Sequence, residues 1–489
     1  MQTDFDRTAQ GPPPLAGNDP ELTAVTELTG HTLDALRSGL VRGRGPCPEG
    51  GPDKVAADLL DHWPDPLPHQ GIGAREAIDA LVPAFAAGSA DPAHPRCVAH
   101  LHTPPLALPA ATDLAVNVLN PSMDSWDQAP VSSTIEARVC RALAELVHPG
   151  ASRPDALVTT GATESNLVGV LVARERVGGS SLRVLCGDNA HHSTQRATWL
   201  LGLRPPVVVP TRHGRMSPDG LRRALAASEE PSLVVATAGT TDRGRVDPLQ
   251  EIADACREHG ARLHVDAAYG GCALFSDRLR PALDGIGSAD SVALDFHKFG
   301  GQPLAAGMLT LADPDDVDLL AVTADYLNAD DDSDAGLPDL LGRSIRTSRR
   351  PDVLKLAATL LALGRTGMGD LVERCCDAAD EAVSLAGAHP ALRVLEEPGL
   401  STVLFRPVLA DRLGEPAGSE MVAELRRRML ASGEAVLGRA TAPDPENGGA
   451  AAVWLKLTLL NPHLRRKDLR RLLDMVATAA ARVERPAAA

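Results

Sequence analysis

Residues 291–307 read SVALDFHKFGGQPLAAG. Val292 to Leu294 make a short apolar run, the pattern of a strand buried on both faces. Asp295, Phe296, His297 and Lys298 follow at its end, and Gly300 and Gly301 come soon after. A lysine in that position lies outside any solvated run of charge. Burial disfavours the ammonium form, so such a side chain becomes a usable amine nucleophile. The chemistry that fits is Schiff-base formation with a carbonyl compound. Taken alone, His297-Lys298 suits a surface lysine in a glycine-containing loop about as well.

A second anchor lies upstream in RLHVDAAYGG, Arg262 to Gly271. Leu263 to Val265 read as another short buried strand with Asp266 at its carboxyl end. Open α/β sheets bind ligands at the carboxyl ends of their strands. A carboxylate there can pair with a pyridinium nitrogen and keep the ring an electron acceptor. Ala267 and Ala268 leave room for a flat ring. Pyridoxal phosphate is the commonest cofactor that meets a lysine in this way. Alone, Asp266 serves equally as a helix cap or turn residue.

HVDAAYGG (264–271) followed by DFHK (295–298) resembles the pyridoxal-phosphate-dependent group II amino-acid decarboxylases, of the fold-type I aminotransferase-like superfamily. The likeness runs from about Pro95 to the C-terminus. It is strongest to the branch containing diaminobutyrate decarboxylases and siderophore-pathway lysine decarboxylases. MDSWDQAP (Met123–Pro130), ADYLN (Ala324–Asn328) and GRSIRTSRR (Gly342–Arg350) carry that branch. The resemblance implies an α/β fold, a mostly parallel seven-stranded sheet with a smaller α+β C-terminal domain. It implies pyridoxal 5'-phosphate held by Lys298, with Asp266 on the ring nitrogen. It implies a homodimer that α-decarboxylates a small L-amino acid, a diamino acid such as 2,4-diaminobutyrate or lysine.

The chain has 489 residues, enough for a large domain and a smaller one. We divide it into an N-terminal segment (1–105), a large cofactor domain (106–365) and a small C-terminal domain (366–489). Aromatic residues are only 2%, so Ala, Val and Leu must build the core. A net charge of −16 argues against nucleic acid and anionic membranes as partners. No apolar run has the length of a membrane span, and MQTDFDRTAQ lacks the basic and apolar stretches of a signal peptide. Eight cysteines without a C-x-x-C pattern suit a reduced compartment. The expectation is a cytoplasmic protein.

Residues 1 to about 19 read as disordered. Glu21 to Leu40 read as an amphipathic helix, which the resemblance places against the partner subunit, and Gly43 to Lys54 as a loop. Three histidines fall within nine positions at 94–102. The neighbouring prolines prevent a regular helix that would align the rings, and no carboxylate or thiolate sits at ligand spacing, so no metal site is expected. By resemblance this segment lines the substrate entrance, with Thr103 a substrate neighbour alongside His297.

Seven apolar runs alternate with helical patterns: 156–158, 182–186, 207–209, 233–236, 263–265, 292–294 and 308–311. The first leads into TTGATESN (159–166), where Gly161 permits a tight turn and Ala162 and Thr163 open a helix. A helix N-terminus with free N–H groups and a hydroxyl suits a phosphate, and suits an ordinary threonine cap as well. By resemblance it is the phosphate loop. The resemblance also places His191 over the ring and puts the Thr241 hydroxyl near the cofactor, while His192 reads as a satisfied structural histidine. Asp247-Pro248 should open a helix with proline at its first position. The loop from Asp325 to Gly336 reads as a mobile acidic lid or merely as a solvated loop. Arg349-Arg350 suit a phosphate or a carboxylate. From about Thr366 the pattern becomes helix, strand, strand, helix, strand, helix, and Lys456 stands where many group II decarboxylases have arginine.

Two departures from the family bear on chemistry. Gly300-Gly301 replace bulky residues and should open space. The loop tyrosine that protonates the intermediate in many members falls near Leu340, and the chain has only Tyr269 and Tyr326. The alternatives are therefore an aldehyde synthase or other lyase on the same scaffold, and a degenerate cofactor-binding scaffold subunit, against which the intact Lys298 and Asp266 argue.

Overall fold

The computed structural model describes residues 14–17, 21–43, 45–179, 181–322, 324, 327–328, 331 and 334–483. The expected disordered start, Tyr326, Asp330 and Asp332 lie largely or wholly outside these residues. The chain packs as two compact units. One comprises residues 101–380 and 397–403, the other 1–100, 381–396 and 404–489.

The first unit is built on a seven-stranded sheet. Its strands are β1 (Asp155–Thr159), β2 (Arg183–Gly187), β3 (Val207–Val209), β4 (Ser232–Thr237), β5 (Arg262–Ala267), β6 (Ser291–Asp295) and β7 (Gly307–Leu311). Their order is β1-β7-β6-β5-β4-β2-β3. The pairs from β3 to β6 are parallel, while β7 runs antiparallel to both β6 and β1. Every residue of β4, β6 and β7 is buried. This explains why they read as continuous apolar runs rather than as alternation.

The helix Ala162–Arg176 (α1) packs Val168 and Val172 on Leu157, Leu309 and Leu311. Its Val170 and Ala173 pack on Leu182, Val184, Leu233 and Val235. Each such fully buried Val or Leu contributes about 1.5–3 kcal/mol. α1 is thereby fixed with its N-terminus at the carboxyl end of β1. Asp247 is buried and accepts from Thr237 N (2.8 Å), Met216 N (2.7 Å) and Asn189 Nδ2 (2.9 Å), tying down the end of β4. Pro248 is the cap of helix Leu249–Glu258 rather than its first residue.

The second unit holds helices Leu22–Arg42, Gly51–Leu60 and Ala74–Ala87. The expected loop up to Lys54 is thus already helical from Gly51. Its four-stranded sheet has β8 (Leu392–Val394), β9 (Thr402–Pro407, of which 404–407 belong to this unit), β10 (Gly438–Asp444) and β11 (Ala450–Thr458), in the order β8-β9-β11-β10. Trp454 is fully buried there, with the guanidinium carbons of Arg393 and Arg406 at 4.7 and 5.5 Å from its ring centre. The helix spanning Val353–Gly387 is broken at Gly364, whose φ is 62°. Among the described residues no helix is long and apolar enough to cross a membrane.

Candidate active site

β5 ends at Asp266 and Ala267, β6 at Asp295, and β1 leads into Gly161. Their carboxyl ends converge on a cavity of about 320 Å³. Lys298, His297, Asp295, Asp266, Ala268, Ala162, Thr163, Thr241 and His191 all line it. Eight of the residues singled out from the sequence are therefore brought together: Lys298, His297, Asp266, Ala268, Ala162, Thr163, Thr241 and His191. Thr103 is buried with its hydroxyl 3.2 Å from the Pro104 carbonyl oxygen, and it is Leu101 that lines the cavity. A larger cavity of about 1210 Å³ lies within the second unit, among Cys47, Trp63 and Phe85. The smaller one has the convergent amine, carboxylates and imidazoles that define a reactive site.

Lys298 Nζ lies 3.1 Å from Asp295 Oδ2, and its side chain is 19% exposed. The amine thus faces both a carboxylate and the cavity. Asp295 Oδ1 accepts from Ala162 N at 2.7 Å, and His297 Nε2 lies 3.5 Å from Oδ2. One buried carboxylate therefore connects the lysine, its histidine neighbour and the first turn of α1. His297 Nδ1 sits 3.1 Å from the Ala306 carbonyl, and burial holds the imidazole below the usual histidine range. Asp266 accepts from Asn166 Nδ2 (2.8 Å) and from Ala268 N (3.1 Å). His191 is half-buried, and desolvation lowers its pKa while Asp266 opposes the shift. His192 is exposed and lies against the His191 ring at 4.0 Å between centres, so it is not a buried structural histidine.

The donor set fits pyridoxal phosphate. Gly161 has a φ of 155°, and a Cβ there would sit 3.0 Å from His297 Cε1, so the cradle requires glycine. The N–H groups of Thr163 and Glu164 lie in the first turn of α1, where no intrahelical carbonyl serves them. Asp266 can meet a ring nitrogen, His191 a ring face, and Lys298 an aldehyde.

One expectation is overturned, and the places of two arginines and a tyrosine are settled. Gly300 and Gly301 do not open space. A Cβ at Gly300 would fall 2.6 Å from the Phe296 carbonyl oxygen, and one at Gly301 2.9 Å from Leu106 Cγ. The glycines are a close approach of backbone to its surroundings. Arg349 and Arg350 hold carboxylates of the protein itself: Arg349 is bidentate to buried Glu136 at 2.6 and 2.7 Å, and Arg350 meets Asp113 at 2.6 Å. Tyr269 is buried with its hydroxyl 2.9 Å from both Ser401 and Thr402, and Leu340 is a buried core residue. Sequence reasoning gave no role to Asp295, although it stands three residues before the lysine, nor to Asn166, quoted within the phosphate-loop motif.

Residues 84–408 match the family described as the pyridoxal-dependent decarboxylase conserved domain. The chain is 37% identical over 436 residues to the L-2,4-diaminobutyrate decarboxylase of Rhizobium meliloti (strain 1021), covering 86% of this chain and 85% of that protein. It is 31% identical over 472 residues to the L-2,4-diaminobutyrate decarboxylase of Acinetobacter baumannii, covering 89% of each. Among solved structures it superposes on the glutamate decarboxylase domain of diaminobutyrate-pyruvate transaminase and L-2,4-diaminobutyrate decarboxylase from Vibrio parahaemolyticus. That match has a TM-score of 0.82 and 27% identity, over 96% of this chain and 98% of the other. The chain belongs to the pyridoxal-dependent decarboxylases. It is an enzyme of fold type I, and pyridoxal phosphate is its cofactor.

Proposed function

We propose that this enzyme removes the α-carboxylate of a small L-diamino acid, 2,4-diaminobutyrate or lysine, releasing the amine and carbon dioxide. The observation that carries the reading is Lys298 and Asp266 facing one cavity beside the N-terminus of α1. Pyridoxal phosphate, when bound, supplies the aldehyde that amines exchange and a ring that accepts the electron pair left as carbon dioxide departs. Lys298 holds the cofactor and afterwards moves a proton at Nζ, with Asp295 positioning it. Asp266 holds the proton at the ring nitrogen. Ala162, Thr163 and Thr241 bind phosphate or its surroundings, and His191 covers the ring face. Thr103 and His297 lie near the substrate. The preference for a diamino acid is supported by the two relatives named for 2,4-diaminobutyrate and by the acidic chain. Asp331 and Asp334 of the expected lid are exposed and would raise the local concentration of a cation.

The same reading includes a cytoplasmic homodimer in which the segment 1–105 packs on the partner subunit, with 106–365 as the large cofactor domain and 366–489 as the small one. A second reading, in which dioxygen and water convert the amino acid to aldehyde, carbon dioxide, ammonia and hydrogen peroxide, is favoured by the tethered hydroxyl of Tyr269, which leaves that phenol unsuited to donate a proton in the cavity. An amino-acid panel followed by mass spectrometry tests both. The expected product is a diamine, with catalytic efficiency falling as ionic strength rises. Preference for an acidic or aromatic amino acid with salt-independent kinetics would sink the diamino-acid reading, and aldehyde with hydrogen peroxide would establish the second.

A further inference from the structure

The Asp266 carboxylate is the end of a buried chain of hydrogen bonds centred on Asn166. Asn166 Nδ2 lies 2.8 Å from Asp266 Oδ2 and 2.9 Å from Ser193 Oγ, and its Oδ1 lies 2.9 Å from His264 Nε2. Asn166, Ser193 and His264 are all buried. A carboxylate oxygen only accepts, so the amide nitrogen must face Asp266. That leaves the amide oxygen to accept, and His264 must carry its proton on Nε2. His264 Nδ1 then accepts from Ser291 Oγ at 2.8 Å on the neighbouring strand β6. The second amide proton goes to Ser193 Oγ, which turns its own proton toward His191 Nδ1 at 2.9 Å. The Ser193 N–H points to the same nitrogen at 3.3 Å. His191 therefore accepts at Nδ1 and carries its proton on Nε2.

We propose that Asn166 is a positioning residue whose one amide aims Asp266 at the cofactor's ring nitrogen and, through Ser193, sets the tautomer of His191. The proposal rests on the reading above that Asp266 meets the ring nitrogen and His191 the ring face. It has a second support in Gly169, three residues along α1. A Cβ there would fall 2.8 Å from His264 Cε1 and Nδ1, so the imidazole reaches Asn166 only because the helix is bare at that point. Burial also drives the His264 pKa down to about 4, which keeps it a neutral donor at neutral pH. Asn166 in turn serves two groups with opposite needs. Asp266 must accept, and His191 must be prevented from donating at Nδ1. An amide supplies two donors and an acceptor in one plane, which no hydroxyl residue does.

The test uses the holoenzyme loaded with pyridoxal phosphate carrying ¹⁵N in its ring, together with ¹⁵N-histidine labelling. Wild type should show a protonated ring nitrogen at pH 7.5 and His191 as the Nε2–H tautomer. In Asn166→Ala the ring nitrogen should lose protonation, cofactor dissociation should rise roughly tenfold, and kcat should fall roughly 10–100-fold, as outer contacts of this kind do elsewhere, with KM little changed. Ser193→Ala leaves the Asn166–Asp266 bond in place. It should keep the ring nitrogen protonated and leave His191 Nδ1 with only the longer bond from the Ser193 N–H, so the Nδ1 ¹⁵N shift should move. A folded Asn166→Ala enzyme with wild-type nitrogen shifts and kcat would overturn the proposal. Should that variant not fold, a wild-type His191 Nδ1 shift in Ser193→Ala overturns it. An unprotonated ring nitrogen in wild type would instead remove the reading of Asp266, and the inference with it.

Discussion

Two lysines in the cofactor unit share a sequence pattern and a local geometry. Lys298 follows Asp295 by three residues, and their charged groups are 3.1 Å apart. Lys355 follows Asp352 by three residues at 3.3 Å. The surroundings separate them. Lys298 lines the cavity and is partly exposed, whereas the Lys355 side chain is 0% exposed. Around Lys355, Asp113 stands at 3.9 Å, and Arg350 joins Asp113 at 2.6 Å to Asp352 at 3.4 Å. An amine that is to exchange partners needs room, and Lys298 has it. Lys355 is a fixed member of a buried ion network, where removing one charge strands the others. The spacing Asp-x-x-Lys carries no function by itself; access to the cavity does.

The contrast can be broken most sharply at Lys298. Lys298→Ala should abolish the visible absorbance of bound cofactor and lower turnover roughly 10³-fold or more, with the melting temperature of the cofactor-free protein little changed. Borohydride reduction followed by peptide mapping should label Lys298; a label on Lys355 would collapse the distinction. The mirror experiment is Lys355→Met. It should destabilise the protein by about 3 kcal/mol, read as a shift of the denaturation midpoint, while the folded fraction keeps the cofactor absorbance.

Asp295→Asn comes next in size. Asparagine can still accept from Ala162 N, so the first turn of α1 should hold, but the ion pair to Lys298 is lost. Turnover should fall roughly tenfold, with a changed pH dependence of the cofactor spectrum; a spectrum and pH profile like wild type would remove Asp295 from the site. The smallest effect concerns stability alone. His264 and His148 are buried, and desolvation lowers each pKa to about 4. The unfolded chain binds their protons below about pH 6.5 and the folded one does not, so stability is full above that value and is lost as pH falls toward 4. Each shift corresponds to about 3 kcal/mol at most. Thermal melts should drop over that window, and His148→Gln should flatten the slope while sparing turnover.

Six of the seven large-sheet strands were legible because they are almost wholly buried, which leaves an uninterrupted apolar run; β3 is an apolar run too, although Val208 is exposed. β10 was not. Its residues alternate buried and exposed, and GRATAPD places Arg439, Thr441 and Pro443 outward, a sequence that reads as a turn. The helices Ala74–Ala87 and Ala107–Leu119 contain Pro83 and Pro109, residues that read as breaks in a helical pattern. The main groups of the site were legible because lysine, aspartate and histidine at strand ends carry their chemistry in their identity. What stayed hidden is relational. Nothing local says that Asn166 meets Asp266 a hundred residues on, or that Gly300 touches the Phe296 backbone. A glycine marks either empty space or close contact, and only the neighbours distinguish the two.

β1 lies at the edge of the large sheet and pairs only with β7. Thr159, which leads into Gly161 and α1, stands beside Gly307, and a Cβ at Gly307 would fall 2.4 Å from Gly161 Cα. The strand made first is thus anchored by the strand made last. At ordinary rates of synthesis the roughly 150 intervening residues take about 8–30 s, during which the turn at Gly161 lacks the neighbour it packs against. The cofactor should therefore join a finished sheet rather than a growing one. Nascent chains arrested before Gly307 should take up no pyridoxal phosphate, however much is supplied.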